Sequence, residues 1–247
     1  MFTVGGEKRH YDNMAKSIRS LERLTFVPTI HIYDMNQRGL TVTNESAWES
    51  KYHAVLEVEN DYVVYLDSDT VLIKDNFEQL FERTKGEFSI AAHWYVQDIE
   101  DYILKCCKPD VHDRIRAHLK HGYRNLFPAA GAFMYKNTEA SRKIVQDILE
   151  LYKVLREENN GDMTGLTDEL IVGALVKPLL HSSFNFSFMD RQKLGILSDN
   201  TLVGGSDFEE SWDTIVLGHC DCFRRDPSLR VNKPENKALI RTLFYMD

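Results

Sequence analysis

The chain has 247 residues, 43% hydrophobic and 28% charged, enough apolar material to bury a substantial core in one large domain. Its formal net charge of -8 argues against a nucleic-acid partner, because that affinity rests on neutralising phosphates with Lys and Arg. No apolar run approaches the roughly 20 residues that span a bilayer, and Met1 is not followed by a basic stretch and an apolar signal core. The expectation is a cytoplasmic chain, with peripheral membrane docking, or a lead into another domain, as open alternatives for the Arg- and Lys-rich last residues. Cys106, Cys107, Cys220 and Cys222 match neither a disulfide framework nor a CxxC zinc site. A zinc cluster of His219, Cys220 and Cys222 is the alternative to free thiols, and free thiols are the preferred reading.

Residues 2–5 (FTVG) read as a short strand that stops at Gly5-Gly6. Met14, Ile18 and Leu21 then recur at helical spacing after a cap near Asp12 or Asn13. Residues 29–36 (TIHIYDMN) form a second strand, and Trp48, Tyr52, Val55 and Leu56 mark one face of a second helix. A third strand over 62–66 runs apolar without alternation, as strands covered on both faces do. A helix over 75–84 follows, capped by Asp75 or Asn76. Residues 93–125 carry many His, Lys, Arg and Asp without a clean period and read as a helical or loop insertion. Beyond it come a strand over 131–137 and a long helix with Ile144, Ile148, Leu151 and Leu155 on its buried stripe. A polar loop leads to Thr167, which caps a helix over 168–176, and strands over 183–190 and 213–221 complete the order. Strands alternating with helices predict an α/β fold with a mostly parallel central sheet flanked by helices. No repeat or linker divides the chain. It reads as a single domain, with a nucleotide-binding half over about 1–90 and an acceptor half over about 91–247.

The third strand ends in Asp67-Ser68-Asp69. In open α/β sheets ligands bind beyond the carboxyl ends of the strands. Two carboxylates one residue apart there can share a hard divalent cation, which takes oxygen ligands and leaves room for water and a substrate phosphate. His219, also at a strand end, is the candidate third ligand, and a mixed carboxylate and imidazole set favours manganese over calcium. Aspartates after a strand also make ordinary turns and caps, so the motif takes its weight from its surroundings.

Those surroundings resemble the glycosyltransferases of the GT-A fold, and within them the glycogenin-like family 8 and its relatives. The stretch SKYHAVLEVENDYVVYLDSDTVLIKDNFEQLF places Lys51 sixteen residues before Asp67, with helix, apolar strand, DxD and capped helix in family order. The resemblance implies a Rossmann-like GT-A domain in which Asp67, Asp69 and His219 hold Mn2+ (or Mg2+) against the diphosphate of a UDP-sugar. It implies nucleotide contacts from the backbone of Val4 and Gly5, from Tyr11 over the base, and from Asp34 and Ser68. Lys51, Ala130, Gly131 and Arg224 are the implied donor contacts, Ala130 standing near where the family carries an asparagine. In GLTDELIVG, Asp168 and Glu169 stand where the family commonly has Asp-Gln, and one of them approaches the sugar. The implied activity is transfer of a hexose to a hydroxyl acceptor, a glycan, with retention favoured over inversion. Inversion would make Asp168 or Glu169 a general base for the acceptor hydroxyl; retention would have the carboxylate steady the positive ring.

Two other classes compete. Asp67-x-Asp69 also fits the motif of a haloacid-dehalogenase phosphatase with Asp67 as nucleophile, although such enzymes place it on the first strand and two strand-helix units precede it here. A non-catalytic nucleotide-sugar-binding module is the third reading, motivated by CDCFRRDP in place of the family's closing motif. A pyrophosphorylase is disfavoured because TVGGEKRHYDN lacks a Gly-rich, Arg-containing phosphate loop.

Overall fold

Short apolar segments followed by amphipathic helices set the amino-terminal half. The computed structural model describes residues 1–75, 77–78, 81, 86–93, 127–163, 166–181, 186–189, 196–198, 217–219 and 233–244. In chain order these are β1 (Phe2–Val4), α1 (Lys8–Leu21), β2 (Ile32–Asp34), α2 (Asn44–Leu56), β3 (Tyr62–Leu66) and β4 (Thr70–Leu72). Then come β5 (Phe88–His93), β6 (Phe127–Lys136), α3 (Glu139–Glu158), α4 (Asp168–His181), β7 (Phe186–Met189), β8 (Ile196–Ser198), β9 (Leu217–His219) and α5 (Pro234–Phe244). The predicted helix over 75–84 and the insertion over 93–125 lie largely outside the described residues.

Alternation of strand and helix is as expected, and the described strands mix parallel and antiparallel pairing, so a single long parallel sheet is not established by them. β1 pairs parallel with β2; β3, β6, β5 and β7 form a four-stranded sheet in that order; β4, β9 and β8 form a third. β6 runs antiparallel to both β3 and β5, and β4 runs antiparallel to β9, while β5/β7 and β8/β9 are parallel. The reversal follows from β6, whose ten residues return between β3 and β5 and pair Leu66 with Ala132 and Phe88 with Tyr135. The Met1 nitrogen donates to the Val64 carbonyl at 3.0 Å and the Leu66 N–H donates to the Met1 carbonyl at 3.1 Å. This is a parallel bridge, so β2 and β1 continue the larger sheet along its β3 edge.

Boundaries moved where local signals were weak. α1 starts at Lys8 after Glu7, without a side-chain cap, so Asp12 and Asn13 lie inside the helix; Asp12 pairs with Lys8 at 2.7 Å instead. α2 has a real capping box, Thr43 accepting from the Ser46 N–H and Ser46 from the Thr43 N–H. α4 runs through Pro178 to His181; a proline near the last turn removes only one helical hydrogen bond. β4 was not predicted, although Thr70-Val71-Leu72-Ile73 is a short run of β-favouring residues.

The core centres on one ring. Phe133 of β6 stacks on Tyr65 of β3 at 4.7 Å, on Phe88 of β5 at 5.2 Å and on Tyr52 of α2 at 5.7 Å, joining three strands and a helix through offset aromatic contacts. Ile144, Ile148, Leu151 and Leu155 of α3 are buried against the same cluster, as their spacing predicts. Among the described residues no helix is long and apolar enough to cross a membrane.

The β1–α1 connection is tight. A Cβ at Gly5 would lie 2.9 Å from both Met35 Cβ and Val42 Cγ2, and Gly6 has φ +81, a conformation glycine adopts at little cost. The Asn36 side chain clasps Gly6, accepting from its N–H at 3.1 Å and donating to its carbonyl at 3.2 Å. Gly5→Ala is expected to lose about 1–3 kcal/mol through overpacking, read as a lower denaturation midpoint with unchanged slope; unchanged stability would show that the loop yields.

Candidate functional site

β3 ends because its last paired residue is followed by a turn. The Asp67 N–H donates to the Gly131 carbonyl at 2.9 Å, extending the β3/β6 ladder by one bond, and the Thr70 N–H donates to the Asp67 carbonyl at 2.9 Å. That closes a four-residue turn with Asp at its first position, where Asp is favoured. Thr70 then opens β4 directly opposite His219 of β9. The fold thus brings Asp67, Asp69 and the His219 backbone to one junction between two sheets; the side chain of His219 lies outside the described residues. The half-buried carboxylates and their oxygen chemistry fit a hard divalent cation completed by solvent or substrate oxygens. Among the described residues no group of three His, Cys, Asp or Glu side chains forms a protein-only metal site.

Helix α1 fixes this junction from one side. The Ser17 hydroxyl donates to the Ser68 carbonyl at 2.8 Å, Ser20 accepts from the Leu72 N–H at 2.8 Å, and Arg23 donates to the Leu72 carbonyl. Three polar residues at successive helical turns therefore bind the backbone of 68–72.

Behind the turn lies a buried ion cluster. The Lys51 ammonium donates to Asp168 Oδ2 at 2.6 Å and to the Ala130 carbonyl at 3.2 Å, and lies 3.3 Å from Asp67 Oδ1. The side chains of Lys51 and Asp168 are 3% and 4% exposed, that of Asp67 28%. Asp168 opens α4 and accepts the Glu169 N–H on Oδ1 at 3.0 Å, while Thr167 accepts the Leu170 N–H at 3.3 Å as the cap. Burial alone would drive Lys51 towards neutrality; the carboxylates of Asp168 and Asp67 outweigh it and hold the ammonium well above the usual lysine range. Burial raises Asp168 well above the ordinary carboxylate value and Glu169 adds to the rise, with the Lys51 ammonium opposing both. Tyr65 keeps its proton: burial, then Asp67, push the phenol well above its ordinary value.

The other expected residues divide into two groups. Val4, Gly5 and Ser68 line a cavity of about 270 Å³ at the carboxyl ends of β1 and β2, with Arg9, His10 and Thr43 also on its wall. Tyr11 and Asp34 are not on that wall: the Tyr11 hydroxyl donates to Asp34 Oδ1 at 2.9 Å, and the Gln37 N–H reaches the same oxygen at 3.1 Å. Ala130 and Gly131 enter through their carbonyls, which accept from Lys51 and from the Asp67 N–H. Arg224 lies outside the described residues.

Sequence reasoning missed Thr3, Ser17 and Tyr65, and it took Lys51 for a donor contact without foreseeing its burial. A signal for Lys51 was present: it falls three and four residues before Ala54 and Val55, inside the apolar stripe of α2.

No protein-family model matches the chain, and no curated protein does. Solved structures do. The chain is similar to the WbbM bifunctional glycosyltransferase, with a TM-score of 0.61 at 11% identity over 99% of this chain and 49% of that one. The galactosyltransferase LgtC, solved with donor and acceptor sugar analogues, gives 0.54 at 12% identity over 96% and 94%. Mouse xyloside xylosyltransferase 1 gives 0.52 at 11% over 90% and 96%. The chain therefore spans about half of the WbbM chain and nearly all of the other two. It has the α/β fold of GT-A-type glycosyltransferases; at these identities the likeness is one of fold.

Lys51→Met leaves Asp168 buried without its cation, and a loss of about 3–5 kcal/mol is expected. The Lys51 contribution is fully present below 10.5 and lost only above it, as pH rises through the raised folded value. Ionised Asp168, raised above 3.8, instead becomes costlier as pH climbs through its own folded value. The stability gap between variant and wild type should therefore narrow from about pH 8 to about pH 4, and Lys51→Met/Asp168→Asn should recover most of it. Denaturant melts across that range check both, and a gap that widens on acidification would contradict the assignment.

Proposed function

We propose that the chain is a metal-dependent glycosyltransferase that moves a hexose from a UDP-sugar to a hydroxyl group of a glycan acceptor, with retention of configuration. The observation that carries this reading is the Asp67–Thr70 turn. It sets two carboxylates one residue apart at the carboxyl end of β3, with Ser68 on the wall of the cavity at the carboxyl ends of β1 and β2, in a fold shared with glycosyltransferases.

In this reading Asp67 and Asp69, with His219, hold Mn2+ or Mg2+, and a cation there supplies counter-charge to the diphosphate that departs. The nucleoside sits in the cavity beside Val4, Gly5 and Ser68, whose backbone can approach it because Gly5 and Gly6 carry no side chain. Tyr11 and Asp34 hold one another off its wall. The bond between the anomeric carbon and the diphosphate breaks with its electron pair on UDP, leaving positive character on the ring. Of the two acids at the start of α4, Asp168 is buried and committed to Lys51, whereas Glu169 is half-buried. Glu169 is thus the better placed to steady the ring, and Asp168 supports it through the helix terminus. Lys51 acts from behind by joining Asp67 to Asp168 and Ala130. Arg224, outside the described residues, is the candidate for the phosphates on the sequence alone.

The fold speaks against the phosphatase alternative, since Asp67 ends the third strand of the chain rather than the first. Asp67→Ala and Asp69→Ala should each reduce donor hydrolysis and transfer on the order of 100-fold or more. UDP with Mn2+ at about 100 times its dissociation constant should stabilise the wild type by about 2.7 kcal/mol, an effect abolished by EDTA and absent from both variants. A thermal-shift panel of UDP-sugars with and without Mn2+, followed by a donor-hydrolysis assay, decides it. No metal-dependent shift with any nucleotide would overturn the reading, and binding without turnover on any donor would favour a binding module.

A further inference from the structure

We propose that Tyr65 is a positioning residue for the cation site: its phenol, aimed by Thr3, fixes the carboxylate of Asp67. This rests on the reading that Asp67 holds the divalent ion. The Tyr65 hydroxyl lies 2.9 Å from Asp67 Oδ1 and 2.7 Å from Thr3 Oγ1. An ionised carboxylate only accepts, so the single phenolic proton goes to Asp67, and Thr3 must be the donor to the phenolic oxygen. The order is Thr3 to Tyr65 to Asp67. It begins at a residue on the wall of the nucleotide cavity and ends on the first carboxylate of the turn.

The phenol has little freedom to point elsewhere. Tyr65 is buried in β3 and its ring is stacked on Phe133 at 4.7 Å. The Lys51 ammonium, 5.3 Å from the ring centroid, approaches the same Asp67 oxygen at 3.3 Å. One hydrogen-bond donor and one cation, from different elements, therefore converge on Oδ1 and restrict the orientation of the carboxylate. A merely structural need for a hydroxyl partner does not explain the arrangement. The hydroxyls of Tyr52 and Tyr152 are buried in the same core and have no hydrogen-bond partner among the described residues, whereas that of Tyr65 has two.

Outer partners of metal-binding carboxylates typically matter by about 10–100-fold in metal affinity. The test is a Mn2+ titration followed by electron paramagnetic resonance, in the presence of saturating UDP, on wild type, Tyr65→Phe, Thr3→Val, Thr3→Ser and Asp67→Asn. Tyr65→Phe keeps the ring stack and removes only the hydroxyl. It is expected to weaken Mn2+ binding by about 10-fold or more while the metal-free melting temperature moves by only a few degrees. Thr3→Val should shift binding in the same direction by less, Thr3→Ser should bind as wild type does, and Asp67→Asn should lose binding. If Tyr65→Phe fails to fold, the two Thr3 variants carry the comparison. Wild-type affinity in Tyr65→Phe together with loss in Asp67→Asn would overturn this role alone. Wild-type affinity in Asp67→Asn, or no Mn2+ binding by the wild type, would remove the metal assignment and this role with it.

Discussion

One buried ammonium governs the arrangement of the site. Lys51 comes from α2, Asp67 follows β3, Asp168 opens α4, and the Ala130 carbonyl belongs to β6. Taking an ammonium and a carboxylate out of water costs several kcal/mol per ion unless geometry and hydrogen bonds compensate. Here the compensation exists only when all four elements are in place, so none can drift without leaving a charge uncovered. One ammonium faces two carboxylates, and exposure rises from Asp168 to Asp67, so Asp67 is the one of the pair that reaches solvent.

The rim is held as firmly as the interior. A turn on a sheet edge is ordinarily a mobile place, yet the backbone of 67–72 is bound on both sides. β6 receives the Asp67 N–H, while α1 engages Ser68 and Leu72 through Ser17, Ser20 and Arg23. Such fixing matters because transition-state charge is stabilised by groups that need not reorganise when it appears. The same helix begins beside the cavity with Arg9 and His10, so one rigid element forms part of the cavity wall and part of the support for the turn.

Much of this was legible in the chain because burial and chemistry point the same way there. Residues 62–66 are apolar throughout and form a strand with those bounds, and the carboxylates after them sit at its carboxyl end as the α/β rule requires. The stripe of α3 and the Thr167 cap of α4 follow from spacing and hydrogen-bonding capacity. The reversed direction of β6 was not legible, since it depends on β6 returning between β3 and β5, a long-range pairing with no local signature. The roles of Thr3, Ser17 and Tyr65 were hidden for a similar reason: each bonds a residue remote in sequence or acts through one. Ordinary strand and helix residues carry no mark of such duties.

Two cavities of similar size lie at opposite ends of the strands, and size does not choose between them. One, of about 200 Å³, lies at the amino ends of β1 and β3 and is walled by Leu24, Phe26, Ile30, Tyr62, Phe77 and Phe81. The other, of about 270 Å³, lies at the carboxyl ends and presents Gly5, Gly6, Arg9, His10, Thr43 and Ser68. Strand and helix polarity separates them. Main-chain N–H groups at the starts of the helices that follow β1 and β2 face the carboxyl end, where they favour anions, and glycines there let backbone approach a ligand. The amino-end groove is walled mainly by apolar side chains, with Thr29, His31 and Asn60 among them and no glycine on its wall. Of these two cavities, the carboxyl-end one combines such main-chain donors with Ser68, which lies between Asp67 and Asp69. The chemistry of the walls, rather than the volume they enclose, is what distinguishes the two cavities.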